Sequence, residues 1–155
     1  MMRFIFSTLA LLILPGLCTG APPEKIGSAW VYRSDSNFEF AREDLAGAIE
    51  GRGLVISYVS HAQDMLSRTA GAVEGSATVY GDAEILLFCK ADLSHRLVGE
   101  NPHNIVLCPY AIAVYTLAGD PETTYLSFQA PPSDNDAYQP IEELLKAIVE
   151  EATGG

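Results

Sequence analysis

The C-terminal stretch constrains the fold most strongly. Ile141, Leu144, Leu145, Ile148 and Ala152 recur at helical period and form one apolar stripe. Pro140 stands where a first helical residue tolerates a missing donor. Glu142 and Glu143 occupy the first turn, where the helix dipole favours negative charge. A helix that is apolar on one side must bury that side against another layer. Phe38, Ala41, Leu45, Ala48 and Ile49 make a second one-sided pattern near the start, ended by Gly51 and Gly53. Ser36 and Glu39 have the capping-box spacing, which predicts that this helix begins at Ser36.

Between the two helices the chain reads mainly as strands. Trp30, Val31 and Tyr32 predict a strand before the first helix, ending at Ser34 and Asp35, and Leu54 to Ser60 predicts one after it. Glu84 to Cys89 carries Ile85, Leu86, Leu87 and Phe88 in succession, which predicts a central strand covered on both faces. Ile105 to Leu117 predicts a long strand, with Pro109 imposing an edge position or a bulge near its start. Gly119, Asp120 and Pro121 turn the chain into a strand from Thr123 to Phe128, which Pro131 and Pro132 end. Asp92 to Gly99 reads as a short helical link and Asn101 to Asn104 as a turn. Residues 61 to 83 are weakly patterned, with a short helix at Gln63 to Ala70 and an irregular segment after it. This order predicts an α+β fold, a sheet with helices on one face.

The 155 residues allow one domain, and the first twenty read as removable. Arg3 precedes an apolar run from Phe4 to Leu14, then Pro15 and Gly16, then the small residues Cys18 to Gly20. That is the order of a secretory signal peptide cut after Gly20, too short for the ~20 residues that cross a bilayer. Leu17 before Cys18 argues against a lipoprotein. The expected organisation is a signal peptide over 1–20, a flexible Pro-rich leader over 21–28 and a single α+β domain over 29–152. The expected location is the periplasm or outside the cell, with no stable membrane anchor after cleavage. A formal charge of −11 repels phosphate backbones and argues against nucleic acid as a partner.

Cys89 and Cys108 are the cysteines left after processing. They admit three readings: a disulfide, worth ~3 kcal/mol by loop entropy; a pair of buried thiols in apolar strands; or a redox pair or soft-metal or haem ligand set. No CxxC spacing points to thioredoxin-like chemistry. His61, His95 and His103 lack HxH or HxxxH spacing, and His95 should face solvent. His103 in its turn is a weaker ligand candidate that could join the two cysteines. GxSxG, GxxxxGKS and GxGxxG motifs are all missing, so hydrolase and nucleotide-binding readings find no support. Asp134 and Asp136 around Asn135 read as a solvated linker rather than a calcium loop. Tyr110, Tyr115 and Tyr125 read as core residues with a polar tip, or as a pocket lining.

Several blocks, in order, resemble the bacterial and archaeal family called domain of unknown function 302. They are His61-Ala62 after the second strand, Glu84-Ile85-Leu86-Leu87-Phe88, Asn101-Pro102, Leu107-Cys108-Pro109, Val114-Tyr115, Tyr125-Leu126-Ser127 and Pro131. The chain departs from many relatives at Cys89-Lys90-Ala91, where they have Gly-Asn-Pro, and in the Cys108 inserted between Leu107 and Pro109. It therefore resembles a secreted, cysteine-bearing branch. The resemblance implies a two-layer sandwich of β-α-β(4)-α type, like one repeat of the TATA-binding protein and often paired as a homodimer. It assigns no activity and no catalytic residue. His61, within the matched pattern, is a weaker ligand candidate whose bland alternative is hydrogen bonding at a strand end. The expected function is a non-enzymatic accessory or ligand-binding module with its ligand between the sheet and a partner subunit. The alternative is a redox or haem/metal-binding protein using Cys89 and Cys108.

Overall fold

The structure, a computed structural model, describes residues 22–130 and 136–154. The expected signal peptide, its cut after Gly20, Cys18, Pro131 and the Asp134-Asn135 pair lie outside these residues. Six strands form one antiparallel sheet: β1 (Glu24–Ile26), β2 (Ala29–Ser34), β3 (Val55–His61), β4 (Tyr80–Cys89), β5 (Tyr110–Leu117) and β6 (Asp120–Gln129). Their spatial order is β1-β2-β6-β5-β4-β3. The helices are α1 (Phe38–Glu50), α2 (Ala62–Thr69), α3 (Ala91–Glu100) and α4 (Gln139–Ala152). The path β2-α1-β3-β4-β5-β6-α4 is the expected β-α-β(4)-α, with β1, α2 and α3 added. The fold is α+β.

The two stripes seen in the sequence build the core. Ala41, Leu45, Ala48 and Ile49 of α1, and Ile141, Leu145, Ile148, Val149 and Ala152 of α4, are all buried. They pack on Tyr32, Leu86, Phe88, Ile112, Val114, Leu126 and Phe128 of the sheet. Each large side chain so buried contributes roughly 1.5–3 kcal/mol. Trp30 ties β2 to α4: its Nε1 donates to Glu142 at 2.8 Å, and Lys146 Nζ lies 4.5 Å from the ring centre. Leu93 and Leu97 bring α3 against the same core, whereas α2 lies along β4 and buries none of its residues.

Several expectations need correction. The leader is not irregular throughout: Glu24–Ile26 pairs with β2 through a tight turn at Gly27, whose φ of 59° suits glycine. The cap of α1 is Asn37, whose side chain accepts from Phe40 N at 3.1 Å, not Ser36, which instead donates its N–H to Ser34 Oγ. Ile105 does not start a strand. Pro102–Leu107 forms a 3-10 turn capped by Asn101, and β5 begins only at Tyr110, after a cis Cys108–Pro109 peptide. Pro109, having no N–H, therefore stands outside the ladder, and β5 is an inner strand rather than an edge.

The second face of β4 departs from expectation as well. Leu86 and Phe88 point into the helical layer, while Ile85 and Leu87 turn the other way and stay half-buried. The same alternation on β5 turns Ala111, Ala113, Tyr115 and Leu117 outward, and on β6 Thr123, Tyr125, Ser127 and Gln129. No described helix of the core layer covers this second face, so the apolar run of β4 marks a sheet with one open side.

Candidate functional site

The ladder brings the two sequence-selected cysteines together. Phe88 pairs with Tyr110, so Cys89, the last residue of β4, faces the stretch in which Cys108 precedes β5. The Cys89 thiol is near enough to Cys108, Ser94 and the Tyr110 backbone for each to act on its proton affinity. Ser94 on α3 completes the cluster, its Oγ 3.7 Å from Cys108 Sγ and 3.1 Å from the Tyr110 hydroxyl. Both cysteines are free thiols, Cys89 exposed and Cys108 half-buried, so the buried-thiol reading does not hold. Cys108 also lies outside the strand the sequence assigned to it.

The electrostatics of the cluster are those of weak acids without a cation. Partial burial of its sulfur pushes the Cys89 thiol up to about 11, and the neighbouring Cys108 adds to this, while Tyr110 N–H and Ser94 oppose it. Burial also raises the Tyr110 phenol, against the hydrogen bond with Ser94. At neutral pH Cys89 is a thiol, not the thiolate that attacks disulfides.

The histidines divide. His61 closes β3 with its Nδ1 2.9 Å from Glu84 Oε1, as expected of a residue hydrogen-bonded at a strand end, and remains exposed. Glu84 bridges to α1 through its other oxygen, which accepts from Arg42 Nε at 2.5 Å. That bond is the main reason the Arg42 guanidinium is raised above its usual value. Sequence reading passed over Arg42, although a carboxylate heading an apolar strand could have prompted a search for a cation. His95 is exposed, as expected. His103 sits in the 3-10 turn with its N–H donated to Asn101, and it does not join the thiols: among the described residues no three His, Cys, Asp or Glu side chains gather around a metal-sized space.

The open sheet face carries two hollows. One, of about 380 Å³, is floored by the small residues Ala111, Ala113, Ala29 and Ser127 beside Ile85, with Val106 and Pro109 at its rim. The other, of about 520 Å³, is lined by Val31, Arg33, Leu117 and the stacked pair Tyr115 and Tyr125, whose ring centres lie 5.5 Å apart. Tyr115 and Tyr125 thus line a pocket, whereas Tyr110 is a core residue with its hydroxyl on Ser94. Val106 is 83% exposed beside the first hollow. Among the described residues no helix is long and apolar enough to cross a membrane.

No curated protein matches the chain. Among solved structures, it is similar to an uncharacterised conserved DUF302 protein from Bacillus stearothermophilus, at 17% identity and a TM-score of 0.66. That similarity covers 82% of this chain and 99% of the other, and it bears on the fold alone. The family model described as "Domain of unknown function DUF302" matches residues 30–152, and the chain belongs to that family.

Proposed function

We propose that this domain is an exported, non-enzymatic binding module that works as a homodimer and holds a small, largely apolar ligand between the open sheet faces of two copies. The observation that carries the reading is the chemistry of that face. From Ile85 and Leu87 on β4, through Ala111 to Leu117 on β5, to Thr123 to Gln129 on β6, its outward side chains carry no charge, and Arg33 of β2 lies at the margin over the Tyr125 ring. Two mature chains, each of formal charge −12 once Arg3 is removed, meet at least cost where charge is sparse. An uncovered apolar face of this kind marks an interaction surface, and its small-residue hollow leaves room for a ligand once a second copy closes it. Export supplies the compartment, with the mature chain beginning at Ala21.

Light scattering on the purified chain at micromolar concentration should give twice the chain mass, and Ala113→Asp, which places a charge at the centre of the face, should give single chains. A monomeric parent, or a dimer untouched by Ala113→Asp, would sink the reading. N-terminal sequencing of the protein from fractionated cells checks export, and a start at Met1 would overturn it. A second reading, a redox or haem/metal role for Cys89 and Cys108, is favoured by the convergence of the two thiols.

A further inference from the structure

We infer that Cys89 and Cys108 form a two-coordinate site for a soft monovalent d10 cation of the cuprous type. The donor set selects the ion. The two sulfurs converge because the β4–β5 register places the end of one strand beside the start of the other, with Ser94 of α3 alongside. Soft thiolates select soft cations, whereas a structural zinc takes four nitrogen or sulfur ligands and an iron–sulfur cluster takes four cysteines. Among the described residues no third His, Cys, Asp or Glu joins the pair. The other polar groups present are the hydroxyls of Ser94 and Tyr110, hard donors that suit neither zinc nor a cluster.

Geometry and access fit the same ion. Sulfur bonds to a d10 cation run about 2.3 Å, so a linear pair sits roughly 4.6 Å apart, close to the ~4.8 Å that separates neighbouring strands. Cys89 is exposed, which gives the ion an entry path. Binding replaces both thiol protons by one cation, releases two protons to solvent and leaves a bis-thiolate complex of net charge −1. The Ser94 hydroxyl, 3.7 Å from Cys108 Sγ, lies where it can donate to a sulfur that carries this charge.

The test uses the full chain carrying Cys18→Ser, so that Cys89 and Cys108 are its two thiols. The reduced protein is titrated anaerobically with Cu(I) against the chromophoric chelator bathocuproine disulfonate, and the loaded protein is examined by X-ray absorption. The expected result is one ion per chain taken from the chelator, with two sulfur neighbours. Cys89→Ser and Cys108→Ser should each lose this uptake, and Ser94→Ala should weaken it by roughly tenfold. No uptake by the parent, uptake unchanged in the double serine variant, three or more ligands at the metal, or thiols found bridged and resistant to reduction would each overturn the inference. If a variant does not fold, as judged by Trp30 emission, the stoichiometry and coordination of the parent still decide. A monomer that binds the ion ends the homodimer reading and leaves this one standing.

Discussion

Replacing Thr124 by valine should make the protein more stable. Thr124 is fully buried in β6, in register with Ser34 of β2 and Thr116 of β5, so three hydroxyl residues cross the core face in a row. Two of them have partners: Ser34 Oγ accepts from Ser36 N at 3.2 Å, and Thr116 Oγ1 accepts from Asp82 N at 3.0 Å. Among the described residues, Thr124 Oγ1 is the buried side-chain atom without one. Leaving such a group unsatisfied costs about 1–3 kcal/mol. Valine keeps the branched shape, removes that cost and adds a buried methyl worth up to ~0.8 kcal/mol. Allowing for relaxation around the site, the expected gain is about 1–2 kcal/mol, or a Tm higher by roughly 3–8 °C in a domain of this size. Urea unfolding at one fixed protein concentration, followed by the emission of the single tryptophan, Trp30, reads the change as a shifted midpoint at constant slope. Thr124→Ser, which keeps the hydroxyl and deletes the methyl, should lose about 1 kcal/mol. A Thr124→Val protein no more stable than its parent would show that the hydroxyl has a partner, and the reasoning would fail.

Three further outcomes are expected. Because the Cys89 thiol is raised from 9.0 to about 11, its alkylation by iodoacetamide should be slow at pH 8 and climb until about pH 11. The same shift, with that of Tyr32 from 10.0 to about 12, means that the native state favours the protonated forms. Their contribution is therefore complete below pH 9 and lost as pH rises from 9 towards 12, and urea midpoints measured across this window should fall. Stability that rises over that window would contradict both assignments. Gly81→Ala should destabilise by about 1–3 kcal/mol, since its new Cβ would lie 2.7 Å from Thr116 Oγ1 and disturb the bond from Asp82 N. Thermal melts of the two proteins check this, and equal melting temperatures would show that the β4–β5 irregularity absorbs the methyl.

The helices were legible because periodicity is a local signal. The stripe of α4 lies on one side of a single turn-by-turn pattern, and burial followed it at Ile141, Leu145, Ile148 and Ala152, while Leu144 stays half-buried and Val149 joins the core. Strand ends were less legible. Ile105, Val106 and Leu107 are apolar enough for a strand, yet Asn101 caps a 3-10 turn there and Pro109 denies the ladder a donor. The leader's pairing at Glu24–Ile26 gave no apolar alternation to read, because a hairpin with one exposed edge needs none.

For the candidate site, sequence singled out Cys89, Cys108 and His61 by residue type but could not say what stood beside them. Ser94 and Arg42 were invisible as partners, since each meets its neighbour through packing between elements distant in the chain.

Local chemistry in the sequence thus determined the core helices, most of the strands, the α+β class and the family. Tertiary structure alone decided that two thiols come together beside the end of β4, that His103 stays away from them, and that among the described residues no helix of the core layer covers one side of the sheet. The physical reason is that periodicity and turn chemistry act over a few residues. Strand order, register and the layer that covers each face depend on how all the elements share one core.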